Sequence, residues 1–138
     1  MTLKVSDADL SAIYAHGEAA YPEECCGILI GPQPKSGGDA IVIAEIRSEE
    51  NEREDASRHN RYVISPQALL QAQRTAREQD MEILGYYHSH PDHPARPTEF
   101  DREQRTQIFG VRCFKRPVAV NDVCRAMLSW PPALLKRT

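Results

Sequence analysis

The feature that most restricts the fold is an apolar segment, Ile83 to Tyr87, that ends directly in His88-Ser89-His90. A short apolar run of this composition predicts a strand that is buried in a sheet. In a strand, residues two apart face the same side. We therefore expect the imidazoles of His88 and His90 to leave the end of this strand on one face, aimed at one point.

Two imidazoles at one point are candidate metal ligands. A proline-rich loop follows His90, and Asp101 lies beyond it, where its carboxylate could approach the same point. Two imidazoles and a carboxylate suit Zn²⁺, and three protein ligands leave the fourth position open, as in catalytic sites. Simpler interpretations exist, because a histidine beside a strand is often an ordinary polar residue, and Thr98 with Asp101 resembles a capping box.

The whole pattern is more specific than its parts. His-x-His, seven residues, Thr, two residues and Asp resembles the signature of the JAMM (MPN+) metalloprotease family. The resemblance implies that His88, His90 and Asp101 bind zinc. Members of the family have Ser where this chain has Thr98. Threonine keeps the hydroxyl but is stiffer about χ1, so we expect Thr98 to stabilise the developing oxyanion with a changed rate.

A zinc hydrolase also needs a base that takes a proton from water, and this chain has no HExxH sequence to supply it. The resemblance places the base at Glu24, because Pro22-Glu23-Glu24-Cys25-Cys26-Gly27 resembles the family's Pro-x-Glu-x-x-Gly segment. Glu23 is the alternative. If the segment is extended, the two neighbours face opposite sides and only one of them can face the metal.

Local signals predict an α/β fold, a mixed sheet with helices packed on it, and the resemblance implies the same cytidine-deaminase-like architecture. Helices are predicted from Ser6 to Ala20 and from Ser65 to about Gln79, each with serine at the N-cap. Pro66 fits the first position of the second helix. Strands are predicted within 23–31, at 40–46, 61–64 and 82–88, with the first two forming a hairpin and a polar loop at 48–60.

The chain is predicted to be a single domain over residues 1–138, and it resembles the family clearly over about 5–104. Asn51, Arg61-Tyr62 and Ser65-Pro66 also resemble compact bacterial members. Residues 105–138 depart from the family's apolar strand pattern, although 118–120 and 126–130 suit short strands. The net charge changes from −9 over residues 1–101 to +6 over 102–138. A diverged terminus and a shifted reading frame in the encoding DNA are both consistent with this change.

Composition limits the partners. No apolar run is long enough to cross a bilayer, and no secretory signal is visible, so we expect a cytoplasmic protein without a membrane partner. The basic terminus has no interleaved aromatic residues, so we expect no nucleic-acid partner. The four cysteines form no CxxC pair and are predicted to be idle thiols. A nucleobase deaminase is excluded because His-x-Glu and Pro-Cys-x-x-Cys are absent.

The resemblance implies a substrate class. Family members cut at the C-terminal Gly-Gly tail of ubiquitin or ubiquitin-like proteins, and compact bacterial members resemble enzymes that process small sulfur-carrier proteins. We therefore expect a peptidase or isopeptidase with a partner of that kind. Such a tail could add a strand to a sheet edge, and the acidic loop 48–60 would favour a basic partner. The alternative is a non-catalytic scaffold, as in relatives that lost the ligands. The oligomeric state is not predicted.

Overall fold

In the described part of the chain, β-strands pack against one helix on one face and a second helix on the other. The computed structural model describes residues 2–33, 40–59, 61–91, 99 and 136–137. The elements in chain order are β1 (Thr2–Val5), α1 (Asp7–Ala20), β2 (Cys26–Pro32), β3 (Ala40–Val42), β4 (Glu45–Glu49), a 3-10 turn (Ala56–His59), α2 (Pro66–Glu78), β5 (Met81–His88) and β6 (Lys136–Arg137). β3, β1 and β6 form a parallel sheet, and β4, β2 and β5 form an antiparallel one. This mixed α/β architecture confirms the predicted fold class.

Both predicted helices are confirmed, and both begin at the serine that the sequence indicated. The Ser6 hydroxyl accepts a hydrogen bond from the Asp9 amide at 3.0 Å, and the Ser65 hydroxyl accepts one from the Ala68 amide at 3.1 Å. Each bond satisfies one of the backbone donors that a helix start leaves without an intrahelical partner. No helix in the described ranges is long and apolar enough to cross a bilayer.

Strand β2 is the centre of the molecule, and its alternating side chains define the two cores. Leu29 faces α1 and Ile28 faces α2, because successive residues of a strand point to opposite faces. The α1 core contains Val5, Leu10, Ile13, Tyr14, Cys25, Leu29, Ile41, Ile43 and Tyr87. The α2 core contains Ile28, Ile30, Ala72, Ala76 and Tyr86. β2 is therefore buried on both faces, and β5 beside it becomes buried toward its histidine end.

The predicted strand 40–46 is two strands in different sheets, so that prediction was wrong in its extent. β3 pairs parallel with β1, whereas β4 pairs antiparallel with β2. Between them, the Ile43 amide donates to the Lys4 carbonyl at 3.0 Å and the Ala44 amide donates to the Ile30 carbonyl at 2.9 Å. The chain changes partner strand at this point, and β-branched composition carries no information about which partner it pairs with. The predicted hairpin is confirmed for β2 with β4, and β1 was not predicted.

The predicted strand 61–64 was wrong, because residues 61–65 form no regular strand. The side chain of Asn51 takes the place of a partner strand. Its amide nitrogen donates to the Arg61 carbonyl at 3.0 Å, and its amide oxygen accepts from the Val63 amide at 3.1 Å. The predicted strands at 118–120 and 126–130 lie outside the described residues.

Candidate metal centre

The imidazoles of His88 and His90 converge at the end of β5. Their Nε2 atoms are 2.8 Å apart, and both side chains are buried. The ring centroids lie 4.8 Å apart with an interplanar angle of 36°. At this distance one ring nitrogen donates a hydrogen bond to the other, and the tautomer decides which. Both rings thus present the same nitrogen to one point, which is the arrangement that the i, i+2 spacing predicts.

Tyr62 covers the His88 ring from the segment that follows Asn51. The two rings are stacked, with centroids 4.6 Å apart and an interplanar angle of 24°. His88 pairs with Cys26 in the β2–β5 register, and their side chains therefore share a face. The stacked Tyr62 ring and the strand pairing together restrict the orientation of the imidazole.

Ser89 locks the histidine end of β5 to the start of β2. Its hydroxyl accepts a hydrogen bond from the Cys25 amide at 2.8 Å, and its own amide donates to the Cys25 carbonyl at 3.1 Å. The side chain is buried, and both bonds give Ser89 a structural role. This pair of bonds fixes the position of His88 and His90 relative to the segment that contains Glu24.

Glu24 lies where the register of β2 and β5 would continue. Cys26 pairs with His88, and extending this register by two residues places Glu24 opposite His90. The Glu24 side chain is buried, with 4% exposure. Its amide donates to the Arg58 carbonyl at 2.8 Å, and its carbonyl accepts from the Asn51 amide nitrogen at 3.0 Å. A buried acid is thus held at the edge of the histidine pair by bonds to both of its backbone groups.

Glu23, the alternative base, has a different environment. Its carboxylate lies 3.6 Å from Nη1 of Arg58, and 47% of its side chain is exposed. The two neighbouring acids are therefore separated, one in solvent with a cationic partner and the other inside the protein. Of the two carboxylates, the buried one is the better placed to act on a reaction at the histidine pair.

Thr98 and Asp101, the predicted oxyanion donor and third metal ligand, lie outside the described residues. Within the described residues, no three His, Cys, Asp or Glu side chains form a group that could hold a metal. The candidate donor atoms among the described residues are the ring nitrogens of His88 and His90. Two nitrogens bound to one tetrahedral zinc lie about 3.3 Å apart, so the pair would have to separate by about half an ångström. Paired imidazole nitrogens of this kind fit Zn²⁺ in donor chemistry.

The two described cysteines are unsuited to metal binding. Cys25 and Cys26 are free and buried, and burial raises the pKa of Cys25 to about 11. Burial also raises the pKa of Cys26, whose thiol donates weak hydrogen bonds to the carbonyls of Glu49 and Glu50. Since the thiolate is the ligand and nucleophile, the raised pKa values favour the unreactive, protonated form of both thiols. Cys113 and Cys124 lie outside the described residues.

Asn51 and Tyr62 contribute to the site, although the sequence assigned them no chemical role. Asn51 is buried and makes four hydrogen bonds, to Glu24, Arg61, Val63 and Arg53. In the sequence, Asn51 is marked only as an amide within a charged stretch. Asn51 and Arg61-Tyr62 also resemble compact bacterial members of the family. Neither signal indicates which backbone groups the amide would reach.

Comparisons with known proteins identify the family of this chain. Residues 6–130 match the family of prokaryotic homologs of the JAB domain. The chain belongs to the JAB domain family. This confirms the resemblance, and the match includes residues 105–130, where the motif-based similarity was not recognised. No curated protein matches the chain.

Two solved structures resemble this JAB domain. A protein of Salinibacter ruber is 35% identical, with a TM-score of 0.59, and the match covers 93% of this chain and 82% of that one. A protein of Desulfitobacterium hafniense is 22% identical, with a TM-score of 0.73, and the match covers 99% of this chain and 94% of that one. The second similarity concerns the fold alone.

Proposed function

We propose that this JAB domain is a zinc-dependent peptidase or isopeptidase. It hydrolyses an amide bond at the C-terminal Gly-Gly tail of a ubiquitin-like or sulfur-carrier protein. The observation that carries the proposal is the 2.8 Å separation of Nε2 of His88 and Nε2 of His90 inside the protein. Membership of the JAB domain family, which includes peptidases, supports the same reaction.

The proposed ligands are His88, His90 and Asp101. When bound there, zinc would polarise the amide carbonyl and make a water molecule more acidic. Glu24 would take a proton from the attacking water and pass it to the leaving nitrogen, which balances the hydrolysis. Thr98 would donate its hydroxyl hydrogen to the developing oxyanion. Burial of Glu24 beside the histidine pair supports its role as the base.

The substrate class rests on a sheet edge and on charge. Within the described strands, β4 and β5 are the outer members of the antiparallel sheet, and an extended tail can add to such an edge. The exposed acids after β4 include Glu50, Glu52 and Glu54. They favour a partner with a basic surface around its tail.

Metal content is the first test. Purified wild-type protein should hold about one zinc per chain, and His88→Ala and His90→Ala should lose it. His16→Gln is the matched control, because His16 lies on α1 and contacts Tyr87 rather than the histidine pair. A wild-type protein that binds no zinc would end the proposal, and the chain would then be assigned as a scaffold.

Cleavage is the second test, with a ubiquitin-fold carrier that carries an extension after Gly-Gly as the substrate. Glu24→Gln should keep its zinc and lose about 10²–10⁴-fold in kcat. Glu23→Gln should retain activity, since that carboxylate is in solvent with Arg58. Equal losses in the two variants would contradict the assignment of the base.

A further inference from the structure

We propose that Asn51 is a positioning residue that holds the Glu24 backbone and the Tyr62 ring in fixed relation to the histidine pair. This inference rests on the proposed function for its effect on catalysis, although its structural part stands alone. The Asn51 side chain bonds to the backbone of Glu24, the proposed base. It also bonds to Arg61 and Val63, the two neighbours of Tyr62, and the Tyr62 ring covers His88. Within the described residues, the four hydrogen bonds of the Asn51 side chain all go to backbone groups.

The first connection is to the acid. The Asn51 amide nitrogen donates to the Glu24 carbonyl at 3.0 Å, and the Glu24 amide donates to the Arg58 carbonyl at 2.8 Å. The two backbone groups of Glu24 are thus bonded to Asn51, just after β4, and to Arg58 in the 3-10 turn. Next along the chain, the Cys25 backbone is bonded to Ser89. Asn51 therefore restrains the acid on the side away from β5.

The second connection is to the ring over His88. Asn51 donates to the Arg61 carbonyl at 3.0 Å and accepts from the Val63 amide at 3.1 Å. These two residues flank Tyr62, so one amide group holds the backbone on both sides of it. The Tyr62 ring stacks on His88 at 4.6 Å. A displacement of residues 61–63 would therefore change the packing of His88 directly.

The hydrogen bonds at this position need a side chain that both donates and accepts. A primary amide offers two N–H donors and two acceptor lone pairs. Asn51 uses both kinds, since its nitrogen donates to two carbonyls and its oxygen accepts from the Arg53 and Val63 amides. An aspartate would keep the acceptors but would present a carboxylate to two carbonyl oxygens. Leucine would fill the volume and leave buried backbone groups unbonded.

The kinetic test compares Asn51→Ala and Asn51→Asp with wild type in the carrier-cleavage assay. Both variants should keep about one zinc per chain and lose about 10–100-fold in kcat, because a misplaced base costs rate. KM should stay within about twofold. Asp55→Ala is the matched control, since its exposed carboxylate bonds to Arg53 and Ser57 in the same segment and to neither Glu24 nor Tyr62. It should retain kcat.

A second measurement does not depend on activity. In the metal-free wild type, NMR should show slow exchange of the Val63 amide and an upfield ring-current shift of the His88 imidazole protons. Asn51→Ala should accelerate that exchange and reduce that shift, and Asp55→Ala should change neither.

The outcomes separate this inference from the proposed function. A wild-type protein that cleaves no carrier overturns the proposed function, and the NMR comparison then decides the role of Asn51 alone. Unchanged His88 shifts in Asn51→Ala overturn the positioning role. A folded Asn51→Asp variant with the wild-type kcat would overturn that role as well.

Discussion

The hydroxyl of Tyr87 lies 2.8 Å from Nδ1 of His16, which connects the histidine strand β5 with helix α1. Oγ of Ser48 on β4 lies 3.0 Å from the same hydroxyl. The Tyr87 side chain is fully buried, and its ring meets His16 edge-on with centroids 5.8 Å apart. One residue before His88, a part-buried polar contact therefore joins the sheet to helix α1 beside the α1 core.

Tyr87→Phe should lower the free energy of unfolding by about 1 kcal/mol. The change removes the hydroxyl and keeps the ring, so the loss measures the two hydrogen bonds. His16 and Ser48 can then be hydrated, which keeps the cost small. Urea denaturation of the metal-free protein measures it. Tyr86→Phe is the control, because the described residues offer its hydroxyl no hydrogen bond, and an equal loss there would contradict the explanation.

His16 should make folding stability depend on pH. Burial lowers its pKa below the usual 6.5, so the folded state binds its proton less readily than the unfolded chain does. The stabilisation is therefore complete above pH 6.5, and it is lost as the pH falls from there through the lowered pKa. The difference in unfolding free energy between wild type and His16→Gln, measured without metal from pH 7.5 to 5, should decrease. A difference that stays constant with pH would contradict this.

Gly27→Ala should destabilise the protein by about 3 kcal/mol or more. A Cβ at this position would lie 2.2 Å from Cε1 of Tyr87 and 2.5 Å from the Arg47 carbonyl oxygen. The backbone oxygen cannot move without breaking the β2–β4 ladder, so the overlap exceeds what ordinary overpacking costs. Denaturant unfolding measures the loss.

Gly31→Ala provides the comparison. Its Cβ would meet Cδ1 of Leu84 at 2.6 Å and the Val42 carbonyl oxygen at 2.8 Å. The end of a leucine side chain can rotate away, and the backbone contact is longer than at Gly27. We expect a smaller loss than for Gly27→Ala, and the reverse order would contradict the assignment of Gly27 as the tighter contact.

The sequence predicted those features whose signals are local. Ser6 and Ser65 marked the helix starts, because an N-cap acts within three residues. The spacing of His88 and His90 predicted that their imidazoles share a face, because strand alternation needs only two residues. The apolar strand β5 was visible in the sequence because its signal is equally local. In each case the decisive interaction lies within a few positions of the chain.

The remaining features depend on contacts between distant positions. Residues 61–63 lack a strand because Asn51, ten or more positions earlier, takes their backbone groups. Residues 40–46 belong to two strands, because 40–42 pair with β1 and the residues from 45 onward pair with β2. The stacking of Tyr62 on His88 crosses 26 positions and follows from neither residue's own neighbours. Tertiary packing decides which backbone groups and rings meet in this way, and neither composition nor periodicity predicts it.

Ser89→Ala should lower the free energy of unfolding by about 1–3 kcal/mol. The Ser89 hydroxyl accepts from the buried Cys25 amide at 2.8 Å, and alanine would leave that donor without this bond. Since the same contact sets Glu24 relative to His90, kcat in the carrier-cleavage assay should fall with zinc content unchanged. Ser11→Ala, at an exposed position of α1, should stay within about 0.5 kcal/mol. Urea denaturation measures the loss in unfolding free energy for both variants. A loss in Ser89→Ala no larger than in Ser11→Ala would mean that water replaces the hydroxyl as the acceptor for the Cys25 amide.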